Sequence, residues 1–74
     1  MAVPPHELEL TVHWIDLEGG FWGLVGPDGS RYEPVSALSP ALQHEGLRFR
    51  AHLRAVPVFS YRMWGTPVDV QLSD

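Results

Sequence analysis

The chain predicts an all-β fold: a small barrel of five strands with one short helical connector, in the order βββ-α-ββ. Three observations carry that expectation. Apolar and polar residues alternate over residues 7–14, 47–56 and 59–63, the period of strands with one buried face. Gly26-Pro27-Asp28-Gly29 has the chemistry of a tight reverse turn between two apolar runs. Residues 36–46 break the strand rhythm with a helix start, and they are too few for more than a turn or two of helix.

The first strand is expected over residues 7–17. Leu8, Leu10, Val12 and Trp14 share one face, and Ile15 and Leu17 then take over as the apolar positions. A change of parity inside one strand implies a bulge or a coil, so that the strand serves two faces of a curved sheet. Gly19-Gly20 follows, where the chain can adopt positive φ. The second strand spans residues 21–26, with Gly23 leaving room for a neighbouring backbone or ring. The third spans residues 31–35. Ser39-Pro40 reads as a helix start, with a capping hydroxyl and a proline at the first position, and Gly46 as its end. Leu38 and Leu42 are spaced to plug the barrel from below. In residues 47–56, Leu47, Phe49, Ala51, Leu53 and Ala55 face inward, and Arg48, Arg50, His52 and Arg54 face outward. Residues 59–63 alternate again, residues 64–67 interrupt, and Val68, Val70 and Leu72 complete a bent last strand.

Seventy-four residues make one domain, expected over residues 7–74 behind an extended lead-in of residues 1–6 that contains Pro4-Pro5. A chain of this size buries only about 60–65% of its unfolded surface, so its stability margin is narrow. It has no cysteine, which excludes disulfides, thiolate metal sites and cysteine catalysis. Stability must come from packing, from loops stiffened by seven prolines or from self-association. With five arginines against nine acidic residues the net charge is −4, the wrong sign for a general nucleic-acid binder. No basic-apolar leader and no run of about 20 apolar residues is present, so a cytoplasmic chain without membrane partners is expected.

Five strands with a helix between the third and fourth match the OB-type barrel, with an SH3-like barrel as the alternative. The combination of DLEGGFWGLV (residues 16–25), Gly29-x-x-Tyr32-x-Pro34, GLRFR (46–50) and MWGTPVDV (63–70) resembles small bacterial and archaeal domains of OB-like character. The resemblance covers residues 12–72. It implies the barrel and brings no activity, substrate or catalytic residue.

The strongest functional candidate is the outward row Arg48, Arg50, His52 and Arg54, because arginine forks suit phosphate or carboxylate. Trp14, Trp22, Tyr61 and Trp64 are candidate stacking platforms beside it. The competing reading pairs the arginines with Glu7, Glu9, Glu33 or Asp69 on a solvated face. The tryptophans are equally needed to fill a small core, and if one is exposed, Trp22 or Trp64 is expected, each adjoining a glycine. His6, His13, His44 and His52 show no metal-ligand spacing, although His13 and Asp16 would converge in a bent strand. Asp16 and Glu18 are the only paired-carboxylate candidates, and no nucleophile elbow, P-loop or dinucleotide fingerprint occurs. No metal, no cofactor and no intrinsic enzyme activity are expected. The reading that follows is a non-catalytic barrel that binds protein, itself included, with single-stranded nucleic acid or another anion as the alternative ligand.

Overall fold

The computed structural model of the protein describes residues 7–58 and 63–72. Five strands close a barrel: β1 (Leu8–Ile15), β2 (Phe21–Val25), β3 (Arg31–Pro34), β4 (Arg48–Ala55) and β5 (Thr66–Leu72). Around the ring the order is β1-β2-β3-β5-β4, with β4 returning to β1. Every seam is antiparallel except β3–β5, where Tyr32, Glu33 and Pro34 run parallel to Thr66, Pro67 and Val68. This is the arrangement of an OB-like barrel. The expected lead-in, most of the alternating stretch 59–63, Tyr61 and His6 lie outside the described residues.

Every strand pairs with two neighbours, and β1, β3, β4 and β5 each change partner part-way along their length. β1 pairs with β4 through Leu8–Thr11 and with β2 through Thr11–Ile15. β5 pairs with β3 through Thr66–Val68 and with β4 through Val68–Leu72. The register of β1 against β2 is continuous, so the strand coils from one partner to the other without an extra residue. β1 also stops at Ile15, two residues short of the expected end. Glu18, Gly19 and Gly20 then take φ of 49°, 88° and 94°, three consecutive left-handed residues that no strand accommodates. Asp16 and Glu18 therefore lie in the turn and not on a strand face.

The turn between β2 and β3 follows the local chemistry. Gly26 N–H donates to Ser30 O (2.8 Å), and Asp28 Oδ1 accepts from Ser30 N–H (3.0 Å). The Ser30 backbone and hydroxyl donors hold the Asp28 carboxyl below its ordinary value. Between β3 and β4 the helix expected from Ser39-Pro40 is a single 3-10 turn, Pro40–Leu42. Ser39 makes no side-chain cap, and Gln43 leaves helical geometry at ψ 66° while its side-chain amide donates to Leu38 O (2.8 Å). With only Leu38 and Leu42 to bury, the segment gains nothing from a longer helix. Those two residues do close one end: Leu38 joins the core and Leu42 packs against it.

The core proper is Leu8, Leu10, Val12, Leu24, Tyr32, Leu38, Ala51, Leu53 and Val68. Leu10, Val12, Leu24 and Val68 are fully buried, each worth about 1.5–3 kcal/mol of transfer free energy. Ala51 and Leu53 face inward as the alternation of β4 requires. Ala55 is exposed instead, lying at the end of the strand where it leaves the core. Thr66 and Pro67 belong to β5 and do not interrupt it. Pro67 has no N–H to give, but its carbonyl accepts from Val56 N–H (3.0 Å).

Candidate functional site

Alternation along β1 places Trp14 on the face of Leu8, Leu10 and Val12, one step beyond the last core residue. Its register partner is Trp22, just as Val12 is partnered by Leu24. The two indoles therefore continue the inward face past the end of the core and meet edge to face, with centroids 5.1 Å apart and planes at 67°. Gly20 passes beneath the Trp14 ring so closely that a Cβ there would lie 2.1 Å from Cζ2. Opposite this pair stands the segment from Pro34 to Leu38, followed by Gln43. Between the two walls opens a cleft of about 320 Å³ lined by Trp14, Gly20, Phe21, Trp22, Pro34, Val35, Ser36, Ala37, Leu38 and Gln43. That volume is at the small end of ligand sites, about 300–1,000 Å³. No lining residue carries a charge.

Glu45 fixes one wall. Its Oε1 accepts the Trp14 backbone N–H (2.7 Å), and its Oε2 lies 2.6 Å from His13 Nδ1. These donors, the Trp14 N–H first, hold the Glu45 carboxyl below its ordinary value. His13 thus meets Glu45 and not Asp16. Gly46 N–H donates to Val12 O (2.7 Å) and Leu47 O accepts from Val12 N–H (2.8 Å), so the connector is tied to the far half of β1 at four points.

The outer face of β2 carries a second aromatic cluster. Trp64 sits over Gly23, where a Cβ would approach its ring to 2.7 Å, so the room expected at Gly23 is taken by a ring. Phe21 meets Trp64 edge on at 5.6 Å, and the Arg31 guanidinium lies 5.4 Å from the Trp64 ring centre. Glu33, 6% exposed, accepts both Trp64 N–H (2.8 Å) and Gly65 N–H (3.0 Å) on Oε1. That carboxylate pins the segment to the barrel wall. The exposed tryptophan is consequently Trp14 (48%), whereas Trp22 and Trp64 are half-buried, one wedged against Trp14 and the core and the other under Arg31.

Arg48, Arg50, His52 and Arg54 do form a row along the exposed face of β4. Arg50 Nε pairs with Glu7 (3.1 Å), and Arg54 Nη2 pairs with Asp69 (3.3 Å). Glu9 lies opposite Arg50 in the register. Three guanidiniums thus share their face with three carboxylates. Arg48 and His52 have no ion-pair or hydrogen-bond partner among the described residues. The tryptophans are not beside this row. Trp64 lies over β2, with β1 between it and β4, and Trp22 is on the inward face. The arginine that meets an aromatic is Arg31.

Among the described residues no group of three histidine or carboxylate side chains is arranged to hold a metal ion. No helix among them is long and apolar enough to cross a membrane. Comparison of the chain with protein-family models, with curated protein sequences and with solved structures gives no match.

Proposed function

We propose that the protein is a non-catalytic binding barrel whose ligand is another polypeptide, engaged through the Trp14–Trp22 cleft. The observation that carries this reading is Trp14: a large aromatic, half-exposed, packed against Trp22 and Gly20 just beyond the last core residue of β1. Rigid aromatic anchors in apolar clefts are what polypeptide-binding surfaces use, because they bring much contact area at little entropic cost. What supports a non-catalytic role is the lining, which offers Ser36 as its one hydroxyl and no titratable side chain beside it to activate it. The closed ring gives each of the five strands a neighbour on both sides, so no strand offers a whole free edge for strand addition and the cleft is the better candidate.

The experiment is a selection of random dodecapeptides displayed on phage against the protein, with Trp14→Ala as the counter-target. Peptides retained by the protein and lost on the variant support the reading. If nothing is enriched, or if every enriched peptide binds Trp14→Ala equally, the cleft is not the binding site.

A further inference from the structure

The charge around the cleft bears on which polypeptide it would accept, and this inference rests on the reading just given. Residues 13–22 and 34–47 supply both walls of the cleft and the turn beside Trp14. They carry Asp16, Glu18 and Glu45 and not one arginine or lysine. Arg31 and Arg48, which flank the second stretch, are both on the outer surface, Arg31 over Trp64 and Arg48 on the exposed face of β4. An uncharged aromatic floor therefore sits within an acidic surround. Of the three carboxylates, Glu45 is engaged by His13 and the Trp14 backbone. Asp16 and Glu18 stand exposed in the turn next to Trp14 and carry no hydrogen bond or ion pair among the described residues.

The floor itself also has something to offer. Neither the Trp14 nor the Trp22 indole N–H meets an acceptor among the described residues. Indole donors next to apolar rings match a backbone whose carbonyls are unused. An extended polyproline-type segment has that property, since it makes no internal hydrogen bonds and comes with little ordering cost.

We propose that the cleft binds an extended, proline-containing peptide segment flanked by arginine or lysine. A proline or aliphatic side chain sits on the Trp14–Trp22 pair, its backbone carbonyls accept from the indole N–H groups, and the cationic residue lies against Asp16 and Glu18. Opposite charge across the rim steers encounter and rejects acidic partners.

The test is a ¹H–¹⁵N titration that follows the three indole N–H signals at low salt. Trp64, seated on the outer face, serves as the internal control. Two blocked peptides are compared, Pro-Pro-Leu-Pro-Pro-Arg-Arg and the same sequence with glutamates in place of the arginines. The expected result is that the basic peptide moves the Trp14 and Trp22 signals and leaves Trp64 still. The acidic peptide binds about 1.4-fold to fivefold more weakly per opposite-charge contact replaced, the range of exposed ion pairs. The double variant Asp16→Asn, Glu18→Gln should remove most of that difference, and 0.5 M salt should do the same by screening. If both peptides move Trp14 and Trp22 with equal affinity, the charge selection is wrong while the cleft remains a polypeptide site. If neither moves them, both readings fall. If concentration alone moves them without peptide, the occupant is a second copy of this chain and the peptide proposal is overturned.

Discussion

Glu33→Ala tests the part of the fold that no local pattern announces. Its Oε1 accepts two backbone N–H groups, from Trp64 and Gly65, in a buried setting. Hydrogen bonds to a charged acceptor are worth roughly 1.5–3 kcal/mol each, and a truncated partner leaves its donors desolvated. Part of the loss is recovered when water enters the space, so the expected cost is about 3 kcal/mol. A domain of this size has in all only about 4–11 kcal/mol of stability. At about 4–8 °C per kcal/mol, the melting temperature should fall by at least 12 °C. Glu33→Gln keeps an oxygen acceptor and gives up only its charge, so its cost should be nearer 1 kcal/mol. Urea titrations of the three proteins give the energies. Tryptophan fluorescence reports the release of Trp64, whose emission should shift to the red in Glu33→Ala under native conditions. Equal stability of the alanine and glutamine variants, or a cost below about 1 kcal/mol for alanine, would refute the argument that this carboxylate pins the segment.

Three further expectations concern other sites. Glu45 has its carboxyl held below the ordinary 4.5, so it stabilises the folded chain fully above that pH and ceases to as pH falls through the lowered value. Glu45→Gln should therefore lower the urea midpoint at pH 6, and the gap from the parent should close progressively below pH 4.5. A gap that persists unchanged into strong acid would show that the charge is irrelevant. Gly65→Ala places a Cβ 2.7 Å from the Arg31 backbone, which cannot yield, at a cost of about 2–3 kcal/mol. Gly46→Ala meets open space and suffers only the left-handed φ, about 1 kcal/mol, so the reverse ranking by thermal melting would contradict the packing described. On the charge-balanced face of β4, Arg50→Glu should leave binding of a short single-stranded oligonucleotide unchanged at low salt. A tenfold loss would restore the arginine row as a ligand face.

What was legible in the sequence was the chemistry that acts locally. Pro27-Asp28-Gly29 announces its turn because Asp28 reaches Ser30, two residues on. Period-two alternation places Leu10, Val12, Ala51 and Leu53 in the core because each strand presents one face to the inside. Gly23 announces a close neighbour, though not which one. Trp64 arrives from forty residues away, and the anchor that delivers it, Glu33, reads in the sequence as one more surface carboxylate. Trp14 is misread for a related reason. Its parity assigns it to the core, and nothing near it in the chain reveals that the barrel ends at Val12 and that β2 offers only Trp22 to cover it. Ser39-Pro40 starts a helix by local rule, yet Gln43 finds its partner in Leu38 O and stops it after one 3-10 turn.

This sharing of each strand between two partners has a consequence for how the chain acquires its structure. The β1–β2 and β2–β3 seams join neighbours in sequence and form a meander early at small entropic cost. The β1–β4 and β3–β5 seams join residues more than thirty positions apart, such as Leu8 with Ala51 and Tyr32 with Thr66. Neither of these closes a stable sheet by itself, because β5 supplies the second flank of both β3 and β4. A nascent chain therefore has to wait for Thr66–Leu72 before its apolar meander can be covered. Folding should be a single slow, high-contact-order event for a molecule this small. The interval before it, with Leu10, Val12 and Leu24 still uncovered, is when the chain is most exposed to aggregation.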